Sequence, residues 1–326
     1  AERTSSPPVA ERTLSGHAVS MNESELVPMV IEPPPFTGSI PDDGIDHQLP
    51  DPTSHDGPAS ASGVRSVIGI DVGGSGIKAA SVDPVTGSLI SERVRITTPT
   101  PATPDAVVGT IVEVVERVMD GEGAAHLDAD APVGLTLPAV VRNGTVSTAA
   151  NIDPGWIGVD AVDVIGRALR RPVVVVNDAD AAGVAEMRVG AGRGDDGPAV
   201  AGVVLMLTLG TGIGSALFVD GTLVPNTELG HLPLHGGDAE RYAASSVRKA
   251  ERLSMKSYAQ RLQEYLELVE RLLWPDLILI GGGISKRADE FLPLIDLRTP
   301  ILPARLRNQA GIVGAAMLAA EGGSGS

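Results

Sequence analysis

The apolar positions of this chain are grouped into short runs that end in glycine. VRSVIGIDVGG, which begins at Val64, is typical of a buried strand that meets a glycine turn, and GIKAASVD continues as a second strand. VAGVVLMLTLGTGIG and SALFVDGTLV repeat this order of strand, glycine turn and strand, and WPDLILIGGGIS adds a further strand that ends in glycines. The repeated order predicts two related halves that face each other across a cleft.

Helical spacing occurs between these strands. A helix is predicted over residues 104–119, which begin with the start signal Pro104-Asp105. A second helix is predicted over residues 257–273, whose spacing places apolar side chains on one face. LISERVRI and PVVVVNDAD are predicted as further strands. Strands with intervening helices indicate the α/β class. The predicted halves are residues 65–176, completed by a C-terminal helix over 309–321, and residues 177–308.

Residues 1–64 follow none of these patterns. They contain ten Pro, and their ten acidic residues against two Arg give a net charge of −8, half of the −16 of the whole chain. Their apolar residues are sparse and have no period. Such a segment cannot bury enough apolar surface to offset its ordering entropy, so we predict a disordered tail.

Composition excludes several classes of protein. With no Cys, the chain has no disulfide, no Cys-based zinc site and no Cys nucleophile. The 41 acidic residues against 25 basic ones disfavour binding to nucleic acid. No apolar run approaches the ~18 residues of a membrane span, and the chain begins without the apolar segment of a signal peptide. We therefore expect a cytoplasmic protein that does not bind membranes.

Three strands end in glycine loops that can hold phosphate. Glycine lets backbone N–H groups approach an anion closely, and neighbouring hydroxyls and a lysine add donors. The first loop is neither a Rossmann fingerprint nor a Walker loop, and an ordinary hairpin is the alternative for it. The candidate phosphate-binding residues are Asp71, Gly73, Gly74, Ser75, Gly76, Lys78, Thr208, Gly210, Thr211, Gly212, Gly281, Gly282, Gly283 and Lys286.

Polar side chains follow the four-valine strand of residues 173–176. Asn177 and Asp178 would lie at the carboxyl end of a sheet, where open α/β folds bind ligands. An Asp at this position can act as general base on a hydroxyl. The alternative is a helix N-cap, which either Asp178 or Asp180 could provide.

A second polar cluster lies in NTELGH and the following DAE. Glu228 and His231 are three residues apart and could grip vicinal sugar hydroxyls as acceptor and donor. A metal site is the weaker interpretation, because no other His or Cys has suitable spacing. A surface loop is the remaining alternative.

The motifs together resemble one family. IGIDVGGSGIK, VVNDADAAG, LTLGTGIGSALFVDG, NTELGHL, WPDLILIGGGISK and NQAGIVGAA, in this order, are similar to the ROK sugar kinases, which have the two-domain actin/hexokinase-type ATPase fold with a ligand cleft between the domains. Within that family the motif sequences most resemble those of the members that use polyphosphate. The resemblance runs from about Ile68 to Ala320.

The resemblance implies a kinase that transfers a phosphoryl group from polyphosphate, and from ATP, to the 6-hydroxyl of glucose. It implies Asp178 as the base and Mg²⁺ held partly through Asp71. It also implies a homodimer. The residues implied around glucose are Asn151, Asn177, Glu228, His231 and Glu240.

Two departures from the wider family are visible. LPLHGGDAE stands where typical members carry a Cys-rich zinc motif, so no structural zinc is expected, and His231 is assigned to the sugar. Leu137-Pro138-Ala139 stands where relatives often have an aromatic residue, Pro and Gly.

Two other functions compete with this interpretation. The first is a kinase of the same fold that uses ATP only. The second is a sugar-sensing repressor of the same family, which would carry a helix-turn-helix domain before the kinase-like part. The Pro-rich acidic segment 1–64 does not fit such a domain, and the intact Asn177-Asp178 pair favours catalysis.

Binding of a polyphosphate donor requires positively charged residues near the site. A chain of net charge −16 should repel a long polyanion unless it presents a local basic track. Candidates for such a track are Lys78, Lys286, Arg287, Arg305 and Arg307.

Overall fold

The computed structural model describes residues 66–121, 127, 130–150, 152–193, 197 and 199–322. The predicted tail over residues 1–64 lies outside them. Within the described part of the chain, no helix combines the length and hydropathy needed to cross a bilayer.

The first sheet is built from the N-terminal strands. In chain order these are β1 (Val67–Gly73), β2 (Gly76–Val82), β3 (Val94–Ile96), β4 (Val133–Leu137), the hairpin strands β5 (Val141–Arg142) and β6 (Thr145–Val146), and β7 (Val173–Asn177). The sheet order is β3-β2-β1-β4-β7, with antiparallel pairing as far as β1 and parallel pairing beyond it. The parallel strands β4 and β7 therefore both end at the edge where β1 reaches its glycine turn.

The second sheet has the same plan. Its strands are β8 (Val203–Leu209), β9 (Ile213–Val219), β10 (Thr222–Val224), β13 (Leu277–Gly281) and β14 (Ile301–Pro303), and a small hairpin of β11 (Pro233–Leu234) and β12 (Gly237–Asp238) lies between them in sequence. The order β10-β9-β8-β13-β14 again places an antiparallel hairpin beside parallel strands. The repeat predicted from the two glycine units is therefore present in the strand order.

Eight helices are described. They are α1 (Pro104–Met119), α2 (Ala161–Leu169), α3 (Asp178–Val189), α4 (Glu240–Ala243), α5 (Ser245–Ala250), α6 (Met255–Leu273), α7 (Ala288–Phe291) and α8 (Ala310–Gly322). Helix α1 begins with Pro at its first turn, as predicted, and α6 is capped by Ser254, whose hydroxyl accepts from the Ser257 N–H at 3.1 Å. Apolar side chains of α1 and α2 cover the first sheet, and those of α6 cover the second.

Helix α8 packs unusually close to the first sheet and to α3. A Cβ at Gly134 of β4 would lie 1.9 Å from the Ala315 carbonyl oxygen, and one at Gly314 would lie 1.8 Å from the Ala181 carbonyl oxygen. Only glycine permits these two backbone approaches. The small-residue sequence of α8 therefore locks together β4 and α3, whose N-terminus carries Asp178.

The strand predicted over LISERVRI is shorter than expected. Only Val94–Ile96 pairs as a strand. Upstream, the Ser91 hydroxyl accepts from the Ser81 N–H at 2.9 Å and thus occupies a donor that a longer ladder would use.

Candidate functional site

The first glycine loop joins β1 to β2 and holds Asp71 in an ion pair. The antiparallel register places Asp71 opposite Lys78, and Lys78 Nζ lies 2.6 Å from Asp71 Oδ2. Thr136 on β4 donates to Asp71 Oδ1 at 3.2 Å. Both carboxylate oxygens of Asp71 therefore have protein partners.

The second and third glycine loops pack on each other. The second loop, between β8 and β9, is closed by a Gly210 N–H to Gly212 carbonyl hydrogen bond of 3.0 Å. In the third loop, Gly282 has φ +77°, and a Cβ there would lie 2.5 Å from the Leu209 carbonyl oxygen. The contact at Gly282 fixes the third loop against the second.

Asn177 caps α3 at the end of β7. Its Oδ1 accepts from the Ala179 N–H at 2.8 Å and the Asp180 N–H at 3.2 Å, and its Nδ2 donates to the Ala139 carbonyl at 3.1 Å. The alternative in which Asp178 or Asp180 provides the cap was wrong, because the carbonyl oxygen of the Asn177 amide already serves both orphan N–H groups. Asp178 Oδ1 also accepts from the Ala179 N–H, at 2.9 Å, but the capping residue is Asn177, and Asp178 lines the cleft described below.

Asp178 lies in the cleft with an altered ionisation. Its pKa is raised from 3.8 to about 7, mainly by burial and also by the nearby carboxylates of Asp71 and Glu228, while hydrogen bonds from the backbone oppose the rise. A carboxylate whose pKa lies near neutrality is suited to accept a proton from a substrate hydroxyl.

Asp180, the residue after Ala179, holds the backbone of a neighbouring loop. It is buried, and its Oδ2 accepts from the Asn226 N–H at 2.8 Å. Its Oδ1 has no hydrogen-bond partner among the described residues, and burial raises its pKa to about 6.

The side-chain amide of Asn226 joins a loop that follows the first sheet's strand β4 to a loop that follows the second sheet's strand β10. Its Oδ1 accepts from the Val141 N–H at 3.0 Å, and its Nδ2 donates to the Val141 carbonyl at 3.0 Å. Asn226 has φ +58°, a left-handed conformation that Asn tolerates better than most residues. This two-point clamp sets the loop after β4 against the segment that carries Glu228. Nothing in the sequence signals this role beyond the presence of Asn226 in the NTELGH motif.

Glu228, His231 and Glu240 converge on the other wall. Ser215 Oγ on β9 accepts from the Leu229 N–H at 3.0 Å, and Glu240 Oε2 accepts from the Ile213 N–H at 3.2 Å. His231 Nε2 lies 3.9 Å from Glu228 Oε2. Burial raises the pKa of Glu228, with His231 opposing and Glu240 adding to that effect. The hydrogen bonds of Leu229 and Glu240 hold this cluster against β9, and His231 is exposed.

One cleft, with a volume of about 310 Å³, gathers these side chains. We call it the main cleft. The predicted residues that line it are Gly73, Gly74, Asn177, Asp178, Thr208, Gly210, Thr211, Gly212, Glu228, His231, Glu240 and Gly282. Lining residues that sequence reasoning did not assign to the site are Pro138, Ala139, Thr148, Ala150, Ile213 and Gly214.

The other predicted residues stand at different places. Asp71, Ser75, Gly76 and Lys78 belong to the hairpin whose tip, Gly73 and Gly74, reaches the main cleft, and Lys286 lines two further cavities. Gly281 and Gly283 flank Gly282 in the third loop. Asn151 lies outside the described residues.

The candidate for a magnesium contact at the site is Asp71. Nowhere in the described ranges do three or more His, Asp or Glu side chains form a group that could hold a metal ion. Mg²⁺ commonly binds through one or two carboxylates, waters and the phosphates of its substrate. Asp71 fits such an indirect, water-mediated contact, because its oxygens already accept from Lys78 and Thr136.

Comparison with known proteins identifies a family and several similar proteins. The ROK family model matches residues 67–252. Polyphosphate glucokinase of Mycobacterium tuberculosis is 50% identical over 254 residues, which are 78% of this chain and 91% of that protein.

Two solved structures match at similar coverage. Inorganic polyphosphate/ATP-glucomannokinase from Arthrobacter sp. strain KM has a TM-score of 0.75 and 50% identity, and the match covers 79% of this chain and 99% of that one. A ROK family glucokinase from Streptomyces griseus, in complex with glucose and AMPPNP, has a TM-score of 0.66 and 26% identity, covering 78% and 99%.

Proposed function

Since the chain belongs to the ROK family, we propose that it transfers a phosphoryl group from inorganic polyphosphate, and from ATP, to the 6-hydroxyl of glucose. The observation that carries this proposal is the position of Asp178, which lies in a cleft lined by residues of all three glycine loops and by Glu228, His231 and Glu240. The product is glucose 6-phosphate.

Asp178 acts as the general base in this proposal. The carboxylate accepts the proton of the 6-hydroxyl as the new O–P bond forms. A carboxylate with a pKa near 7 holds that proton better than an ordinary Asp with a pKa of 3.8 would. Asn177 supports this role by capping α3, which fixes where Asp178 starts the helix.

The second wall of the main cleft orients the sugar. Glu228 and Glu240 accept from sugar hydroxyls, and His231 adds a ring nitrogen beside Glu228. Asn151 is assigned to the same sugar by family resemblance. Because the reaction is largely one of positioning, these contacts contribute to the rate as well as to affinity.

The glycine loops bind the donor phosphates. Gly73, Gly74, Gly210, Thr211 and Gly212 line the main cleft together with Thr208, and the backbone N–H groups of these loops, apart from that of Gly210, which donates to the Gly212 carbonyl, are the proposed phosphate donors. Asp71 would hold Mg²⁺ indirectly when the donor is bound, and the ion would supply neutralisation of charge on the donor phosphates. Lys78 holds Asp71 in place across the hairpin.

Two organisational features belong to the same proposal. The chain divides into a first half over 65–176, with the helix over 309–321 added, and a second half over 177–308. The packing of α8 on β1 and β4 supports the assignment of this helix to the first half, and its contact with α3 joins it to the second half as well. A homodimer is proposed from the family resemblance, and sedimentation velocity tests it.

The decisive experiment compares donors directly. Initial rates of glucose 6-phosphate formation are measured with Mg²⁺, glucose and either long-chain polyphosphate or ATP. We expect activity with both donors. Activity with ATP alone would replace this proposal with an ATP-only glucokinase, and no activity with either donor would refute the kinase assignment.

Replacing Asn226 with Gly should raise the KM for glucose about tenfold, the scale of one or two lost hydrogen bonds. Glycine tolerates φ +58° without strain, so the substitution removes only the clamp on Val141. Asn143→Gly is the matched control, because Asn143 is exposed and has φ +50°. Equal KM values in the two variants would show that the clamp does not position the sugar site.

A further inference from the structure

Two adjoining cavities outside the main cleft are lined by basic side chains. Their volumes are about 370 and 340 Å³, and Lys286, Arg305 and Arg307 line both. Arg93, which comes just before β3, lines the second cavity, and Asp289 is the acidic residue in the wall of the first. We call the four cationic residues the basic groove. It brings together three separate chain segments, one from the edge of the first sheet and two from the second half.

The basic groove begins where the phosphate loops end. Lys286 belongs to the 3-10 turn Gly283–Arg287, which directly follows Gly282 in the wall of the main cleft. Arg307 lies in the turn before α8, and a Cβ at Gly311 in that helix would lie 3.2 Å from Asp71 Oδ1. One end of the groove is thus adjacent to the third loop, and the other leads to the carboxylate assigned to Mg²⁺.

Three of the four cations in the groove are not neutralised by carboxylates of the described residues. Arg93, Lys286 and Arg307 form no ion pair with any other described residue. Two other candidates from the sequence differ in this respect. Lys78 is paired with Asp71, and Arg287 binds Glu290 through two hydrogen bonds of 2.5 and 2.6 Å. The structure therefore removes both from the basic track and adds Arg93.

The segment that carries Arg305 and Arg307 is held rigidly. Glu186 of α3 is fully buried, and its carboxylate accepts from the N–H groups of Arg305 at 3.0 Å and Leu306 at 2.7 Å. Arg307 has φ +51°, a conformation that non-glycine residues adopt only when their surroundings impose it. Since Glu186 and Asp178 lie on the same helix, the groove is fixed relative to the proposed base.

We propose that the basic groove binds the distal phosphates of a polyphosphate chain whose terminal phosphate lies in the main cleft. This inference rests on the proposed function, and it names the part of the enzyme that distinguishes the two donors. Several phosphates of one polyphosphate chain contact several cations at once, so their contributions to binding combine. ATP has only three phosphates, and these are bound by the glycine loops, so none is left to reach the groove. The groove also provides the local positive potential that a chain of net charge −16 needs to attract a polyanion.

The test uses charge-neutral substitutions in the groove. Arg307→Asn removes the charge and keeps a residue that tolerates the left-handed backbone, and Arg93→Gln removes a second charge. Each should raise the KM for long-chain polyphosphate about tenfold at low ionic strength, and the double variant more. The KM values for ATP and for tripolyphosphate should change less than about twofold. Each removed charge should reduce the slope of log KM against log salt by about 1.

Arg170→Asn is the matched control, because Arg170 is exposed, has φ +55° and lies at the end of α2, away from the groove. It should behave as wild type with all donors. If the wild-type enzyme uses polyphosphate but Arg307→Asn weakens long polyphosphate, tripolyphosphate and ATP equally, the groove proposal is overturned while the proposed function stands. If the wild-type enzyme does not use polyphosphate at any salt concentration, the donor assignment itself fails.

Discussion

Replacement of Asp178 by Asn is expected to lower kcat for glucose phosphorylation about 10²-fold or more, with either donor. The amide keeps the shape of the carboxylate and can still accept from the Ala179 N–H, which now lies 2.9 Å from Asp178 Oδ1. It cannot take the proton from the 6-hydroxyl. Glucose binding should largely survive, because Glu228, His231 and Glu240 are unchanged.

The measurement is kcat with saturating glucose and donor, together with the glucose Kd from titration calorimetry. Asp180→Asn is the matched control, because Asp180 is buried in the same helical turn but bonds to the Asn226 N–H. It should keep kcat within a few-fold of wild type. Near-full turnover of the Asp178 variant would mean that the base lies elsewhere.

The Asp178→Asn variant should also be more stable than wild type above pH 7. Because folding raises the pKa of Asp178 from 3.8 to about 7, the native state favours the protonated acid. Stability from this group is complete below pH 3.8 and is lost as the pH rises through 7. Asn avoids that loss, so the gain in unfolding free energy should be larger at pH 8 than at pH 5, with an upper limit of roughly 4 kcal/mol. A variant that is less active yet more stable would identify a functional carboxylate rather than a misfolded one.

The parts of the site that the sequence predicted are those in which a single local rule decides the position. Glycine turns at strand ends and a polar pair after a valine strand have fixed places in a sheet, so the sequence alone predicts that Gly73, Gly210 and Asp178 lie at strand ends where ligands bind. The α/β class followed from the same alternation of strands and helices.

The parts that the sequence did not predict depend on contacts between distant segments. Arg93 lies about 190 residues from Lys286 along the chain, and no periodicity joins them. The clamp of Asn226 on Val141 spans 85 residues and needs both sheets in place. The ion pair of Lys78 with Asp71 follows from a hairpin register that depends on the turn. It removes Lys78 from the basic track to which its charge and its place beside a glycine loop assigned it.

Activity should fall steeply below neutral pH, to about one hundredth of its plateau at pH 5. Asp178 works as a base only when it is unprotonated, and its pKa of about 7 moves the loss of activity up from the pH range of an ordinary Asp. Each pH unit below 7 therefore removes about a factor of ten. Burial is the main cause of the shift, and the carboxylates of Asp71 and Glu228 add to it.

The profile is best measured as kcat/KM for the donor, because this quantity reports the ionisation of the enzyme before the metal and phosphates enter the cleft. Repeating it with ATP and polyphosphate separates ionisation of the enzyme from that of the donor. Asp180, with a pKa of about 6, is the other carboxyl in this turn that could titrate, so the inflection should persist in Asp180→Asn. It should move to lower pH in Glu228→Gln, since the Glu228 charge helps to raise the Asp178 pKa. A profile that stays flat from pH 8 to pH 5 would contradict the assignment of Asp178 as a base whose pKa is raised by its burial in the cleft.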